Sequence, residues 1–467
     1  MSERPKRERA ASKQAQTGQP RHRRAHTTAR DLERYAGLFA ARTKVMRSSA
    51  MRDLMEITAR PDVISLAGGL PDTSTFPPES FAAQMTRIAQ ESAARALQYG
   101  PTEGFDDTKR CIREVMAAEG MEPDPDDIIV TTGGQQALDL IAKALLDPGD
   151  PVIAEAPTYA GAVPVFCSYQ ADTIQIPVDE HGMRVDLLEA ELERLEREGR
   201  RPKFIYSVPS FQNPAGVTLA AERRRRLVEL ARERELLVVE DNPYGLLRYE
   251  GEPTDPLYKL DGGDYVLYVG TFSKILSPGI RLGWICAPPP VMAKLVLGKQ
   301  AADLCTSTLS QFFVHEYFAE GRWRAYVESL RAVYRERRDA MLSALERHFP
   351  PAASWSRPEG GLFLWATLPE YIDTTDLLAR ALRENVAFVP GAAAFVDGRG
   401  TNSMRLNFSG CDAETIEEGV RRIGDVIAEQ IELYSALVPP EEKHESPSGP
   451  GGEVLPLPPR PDQERSP

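Results

Sequence analysis

Long apolar runs are missing from this chain. Nowhere do about 18 apolar residues follow one another, so no membrane-spanning helix is expected. The basic N-terminus also lacks the apolar core of a secretory signal. Cysteine is scarce: Cys111, Cys167, Cys286, Cys305 and Cys411 are scattered, odd in number and never spaced Cys-x-x-Cys. That argues against a disulfide framework and suits a reducing cytoplasm. Histidine is equally scarce. Of six, only His181, His315 and His348 lie outside the tails, none at ligand spacing from another His or Cys, so no metal site is expected. A surplus of positive charge is lacking too. Lys and Arg number 56 against 69 Asp and Glu, a formal charge of −13, which argues against a nucleic-acid partner and for a soluble protein.

What is present suffices for a real core: 467 residues, 42% of them apolar, can hold one large and one smaller domain. Residues 1–30 are basic and carry no aliphatic side chain larger than Ala after the initiator Met, so a disordered tail is expected there. Residues 438–467 are Pro-rich, ending Val454-Leu455-Pro456-Leu457-Pro458-Pro459-Arg460-Pro461, and read as a second disordered tail of polyproline character. Between them, residues 31–80 are expected to join a smaller α+β domain at 321–437, and residues 81–320 to form the large domain. A helix is expected over Arg30–Met46.

Over the large domain, short apolar runs alternate with amphipathic stretches, the pattern of a mostly parallel sheet with helices on both faces. Ile128–Thr131, Val152–Glu155, Phe204–Val208, Leu236–Glu240 and Tyr265–Val269 read as strands, the last ended by Gly270. Thr132–Gln136 reads as a turn before a helix from Ala137. In the helix Glu222–Arg234, the run Arg223–Arg226 reads as a solvated face. Tyr159, Asn213, Asp241, Tyr244 and Lys274 all follow the carboxyl ends of expected strands, the edge where open α/β sheets bind ligands.

These residue types point to one chemistry. A Lys at the end of a buried strand loses hydration and basicity, as an amine must to attack a carbonyl and form a Schiff base. Lys274 is placed so, with Ser273 and Arg281 suited to a phosphate. Together with a strand-end Asp, this set suits pyridoxal 5′-phosphate (PLP). Lys274 would hold the aldehyde and then shuttle protons, and Asp241 would keep the pyridine nitrogen protonated. Asn213 and Tyr244 would bond the phenolic oxygen, and Tyr159 would stack on the ring. The Gly134–Gln135 backbone, with Ser273 and Arg281, would hold the phosphate. Arg405, set among apolar neighbours, would pair with a substrate α-carboxylate or else make a structural ion pair.

The sequence resembles the class I/II aminotransferases of PLP fold type I, in particular the branch of 2-aminoadipate and kynurenine aminotransferases. The resemblance is carried by Ser65–Pro71, Tyr99–Gly104, Thr132–Asp139, Pro209–Gly216, Glu240–Tyr244, the Lys274 segment and Met404–Leu406, in family order from about 45 to 430. Thr271 stands where the family often has Ser or Gly, and Pro278 replaces a usual aliphatic. The resemblance implies transfer of an amino group from an L-amino acid, 2-aminoadipate- or glutamate-like, branched-chain or aromatic, to a 2-oxo acid. It implies a homodimer in which Tyr99 reaches the partner's cofactor phosphate, and a substrate covered by the glycines near Gly69 and by Arg52. A PLP-dependent lyase or decarboxylase shares the same apparatus and stays open. So does an aminotransferase-like regulator, for which the 30 core-less residues at the N-terminus are too few to form a winged helix-turn-helix.

Overall fold

The computed structural model describes residues 35–46, 60–69 and 71–437. The expectations for the two tails, for Arg52 and for Met51–Ile57 lie outside the described residues. Two units are distinguished, one reaching to Met46 and one from Arg47 onward.

In the first unit, the expected helix over Arg30–Met46 is replaced, where described, by two 3-10 turns, Ala36–Leu38 and Ala41–Lys44. Between them Phe39 and Ala40 take extended conformations. Leu38 and Phe39 are exposed, so no packed face rewards a longer helix.

The second unit carries strands β1 (Ile64–Ser65), β2 (Ile128–Thr131), β3 (Pro151–Ala156), β4 (Asp172–Asp179), β5 (Gly182–Met183), β6 (Phe204–Ser207) and β7 (Leu237–Asp241). They are followed by β8 (Val266–Thr271), β9 (Gly283–Cys286), β10 (Ser354–Trp355), β11 (Phe363–Thr367), β12 (Val386–Ala387), β13 (Val389–Pro390) and β14 (Ser403–Asn407). The main sheet runs β2-β9-β8-β7-β6-β3-β4-β5. Its centre, β8-β7-β6-β3-β4, is parallel, while β9 and β5 pair antiparallel with their neighbours. Every residue of β2, β3 and β6 is buried, as expected of strands covered on both faces.

The covering helices bury a stripe at helical spacing. In Val185–Arg197 it is Val185, Leu188, Leu192 and Leu195, each contributing roughly 1.5–3 kcal/mol of burial. A second, antiparallel sheet runs β10-β11-β14-β13, and β1 pairs with β12. The Leu66 carbonyl accepts from Asn407 N (2.8 Å), tying the early segment to β14. Among the described residues no helix is long and apolar enough to cross a membrane.

Two local expectations are corrected. Gly270 does not end β8, because Gly270 and Thr271 pair with Trp284 and Gly283 of β9. A Cβ on Gly270 would lie 2.2 Å from the Trp284 ring, so the glycine lets the strand run on beneath an indole. Nor is the Arg223–Arg226 run a solvated face throughout. Arg224 is fully buried and donates to the carbonyls of Leu219 (2.9 Å), Asp255 (3.1 Å) and Pro209 (2.6 Å) and to Ser210 Oγ (3.0 Å). It thereby pins the start of the loop that carries Asn213. Arg224→Met should lower stability by roughly 3 kcal/mol, because it strands buried acceptors. The measurement is a urea denaturation midpoint, and an unchanged midpoint would contradict this account.

Candidate active site

The site follows from strand geometry. Side by side, β7 and β8 pair Asp241 with Val269, so both chains leave the sheet at the same edge. Asp241 closes β7, and Lys274 follows three residues after β8. A cleft of about 420 Å³ opens there, lined among others by Gly134, Gln135, Tyr159, Asn213, Asp241 and Tyr244. Gly69, Ser273, Lys274, Arg281 and Arg405 complete the set that the sequence nominated for one cleft. Tyr99 is not among the lining residues and stands 77% exposed.

Charge in this cleft is strongly perturbed. Desolvation pushes the Lys274 amine down to about 8; the positive charges of Arg405 and Arg281 add to the effect and Asp241 opposes it. Its Nζ donates to the Gly69 carbonyl at 2.6 Å. Burial pushes the Asp241 carboxyl up to about 6, against the Tyr206 hydroxyl, which donates to Oδ2 at 2.7 Å. Desolvation likewise lowers Arg405 to about 10.

One end of the cleft is built for an anion. The helix over Gly133–Leu145 begins earlier than expected, its first turn absorbing Gly133–Gln136. Gly133 has φ +74°, and a Cβ there would lie 2.4 Å from Arg281 Nη2, so both backbone and space require glycine. Arg281 donates from Nη2 to the Thr132 carbonyl (3.3 Å). The Thr271 hydroxyl lies 2.9 Å from Ser273 Oγ and accepts from Ser273 N at 3.1 Å. Thr271, a departure from the common family pattern, thus orients the neighbouring Ser. Gln135 spends its side chain on the Gly161 carbonyl (2.9 Å), leaving its backbone to the cleft.

The other end is built from the second sheet. Arg405 on β14 is 2% exposed, lies 4.3 Å from the Phe363 ring centroid, and donates to Asn213 Oδ1 (3.0 Å). It also donates to the carbonyls of Ala67 (2.7 Å) and Gly68 (2.9 Å). Asn213 in turn donates to the Tyr244 hydroxyl at 3.4 Å.

Two supporting residues escaped the sequence reading. Tyr206 partners Asp241, and its signal was a phenol inside an all-buried strand, where the hydroxyl must find an acceptor. Glu155 on β3 accepts from Ser207 Oγ (2.6 Å), Val208 N (3.2 Å) and Gln212 Nε2 (2.9 Å) and so anchors the Asn213 loop. A carboxylate within an apolar run was its signal.

Fold and site define an enzyme that anchors a phosphorylated aldehyde cofactor at the carboxyl edge of a parallel sheet. The sequence profile of the family described as aminotransferase class I and II matches residues 61–423. The aromatic-amino-acid aminotransferase 1 of Thermococcus litoralis is 46% identical over 86% of this chain and 96% of its own length. A kynurenine aminotransferase from Pyrococcus horikoshii, solved with PMP, superimposes with a TM-score of 0.82 at 43% identity, covering 86% of this chain and 98% of that one. The α-aminoadipate aminotransferase of Thermus thermophilus, solved with N-(5′-phosphopyridoxyl)-L-leucine, gives a TM-score of 0.79 at 40% identity, covering 85% and 99%. The chain belongs to the class I and II aminotransferases. It is a PLP-dependent enzyme that moves an amino group from an amino acid to a 2-oxo acid.

The residues present fit that cofactor. A lysine of lowered basicity, a buried carboxylate and an anion end of guanidinium, hydroxyls and helix N–H groups line one cleft. Reductive labelling of Lys274 in the cofactor-free protein, with a small aldehyde and cyanoborohydride, should rise with pH about a midpoint near 8, not the ordinary 10.5. Arg405→Gln should move the midpoint upward by removing one repelling charge. A wild-type midpoint at the ordinary value would contradict the burial argument.

Proposed function

We propose that this enzyme takes its amino group from 2-aminoadipate- or glutamate-like L-amino acids and also from aromatic or branched-chain ones. The observation that carries the reading is the convergence of Lys274, Asp241 and Arg405 on one cleft. Its walls include Leu138, Tyr159, Val208 and Phe363, which suit an apolar side chain. The acidic branch of the proposal rests on the family resemblance, which implies that Arg52 pairs with the distal carboxylate of an acidic substrate, and on the substrate named for the Thermus relative.

When bound, the cofactor supplies an aldehyde that accepts the amino group and a ring that withdraws electrons from the substrate α-carbon. We assign its binding to Gly134, Gln135, Tyr159, Asn213, Asp241, Tyr244, Ser273, Lys274 and Arg281. Lys274 Nζ, its basicity lowered by burial, would take the α-proton and return it. The Asp241 carboxylate, held by Tyr206, keeps a proton on the ring nitrogen. The Arg405 fork orients the α-carboxylate, steadied by Asn213 and the Gly68 carbonyl, with Gly69 beside it. Tyr159 and Phe363 exclude water from the reacting atoms.

We further assign a cytoplasmic homodimer acting in amino-acid biosynthesis, with Tyr99 serving the partner's cofactor phosphate. Leu97, 81% exposed, stands two residues from Tyr99, an apolar pair suited to burial between subunits. We assign residues 81–320 as the large domain and 321–437 as the small one.

The test is the visible absorption of the PLP-loaded protein, before and after single L-amino acids without any oxo acid. Loss of the band is expected, with the fastest amino acid naming the donor class. Lys274→Ala should slow this about a hundredfold or more. A band that no amino acid alters would overturn the proposed function.

A further inference from the structure

Behind the Thr132–Gln136 turn sits an ammonium group that the amino-transfer chemistry does not use. Lys299, near the end of the helix Pro289–Ala302, is 0% exposed. Its Nζ donates to both Asp303 oxygens (2.8 and 3.0 Å) and to Gln136 Oε1 (3.1 Å). Gln136 Oε1 also accepts from Thr132 N (2.7 Å), and Gln136 Nε2 donates to Asp303 Oδ2 (2.6 Å). The Thr132 hydroxyl donates to the same Oδ2 at 3.1 Å.

This network changes what the helix start can do. Threonine before a helix ordinarily caps it, its oxygen accepting from the first N–H groups. Here Thr132 makes no side-chain cap, and its hydroxyl is turned to Asp303 instead. Gln136 takes the Thr132 N–H, so the N–H groups of Gly133, Gly134 and Gln135, which have no helical partners, are left for an anion in the cleft. Burying an ammonium is costly unless its partners are placed as these are.

We propose that Lys299, Asp303 and Gln136 form a positioning clamp that keeps the Gly133–Gln135 turn open as a phosphate cradle. This rests on the assignment of that turn to the cofactor phosphate. The clamp should govern affinity for the phosphate and leave affinity for the ring unaffected.

The experiment titrates the cofactor-free full chain with PLP and, separately, with pyridoxal, which lacks the phosphate, following the visible band. Lys299→Met should weaken PLP about tenfold while leaving pyridoxal within about twofold. Equal weakening of both would show that Lys299 only supports the fold, and no change in either would also overturn the clamp. Should Lys299→Met not yield folded protein, Thr132→Val, which keeps the packing, should still weaken PLP alone by about threefold. If that variant binds PLP as the wild type does, the clamp fails. A wild-type chain that binds the two compounds equally would sink the phosphate assignment itself, a result distinct from failure of the clamp.

Discussion

The pairing of β7 with β8 brings a carboxylate and an amine to one edge of a buried sheet, and much of the surrounding structure answers what that burial demands. Asp241 cannot be ionised there cheaply, so Tyr206 from the next strand donates to it. Lys274 loses basicity for the same reason, and two guanidinium groups push it further. Burial that would be a liability in a core is here the source of reactivity, since a neutral amine near pH 8 is a nucleophile and a base.

A second dependence links the two sheets. Arg405 belongs to β14 of the smaller sheet, yet its fork bonds Asn213, which follows β6 of the large one, and the Ala67 and Gly68 carbonyls of the early segment. Three stretches remote in sequence meet at one guanidinium. The Glu155 and Arg224 networks hold the Asn213 loop from behind, one through a carboxylate and the other through a buried guanidinium. Buried charges of this kind are tolerated because nearly every donor and acceptor finds a partner, and in return they make the loop geometry nearly unique.

Much of this was legible along the chain. The buried strands β2, β3 and β6 showed as apolar runs because both their faces are covered. The placement of Lys274, Asp241, Asn213, Tyr159 and Tyr244 after strand ends followed from the α/β pattern alone, and the cleft does contain all five. The reading failed where a residue's neighbour is distant. Gly270 looked like punctuation because Trp284 lies fourteen residues away, and the Arg223–Arg226 run looked solvated because the carbonyls that absorb Arg224 sit on other segments.

The sequence by itself determined the periodicities, hence the order of strands and helices, and the chemical types delivered to the sheet edge. These are local properties: an apolar run, a helix stripe or a glycine needs only its chain neighbours to be recognised. Tertiary structure alone decided which buried charges meet. That Tyr206 serves Asp241 and that Lys299 stands behind Gln136 depend on distances across the fold. Electrostatic energy in a low-dielectric interior varies with those distances and with desolvation, neither of which is encoded at any one position of the chain.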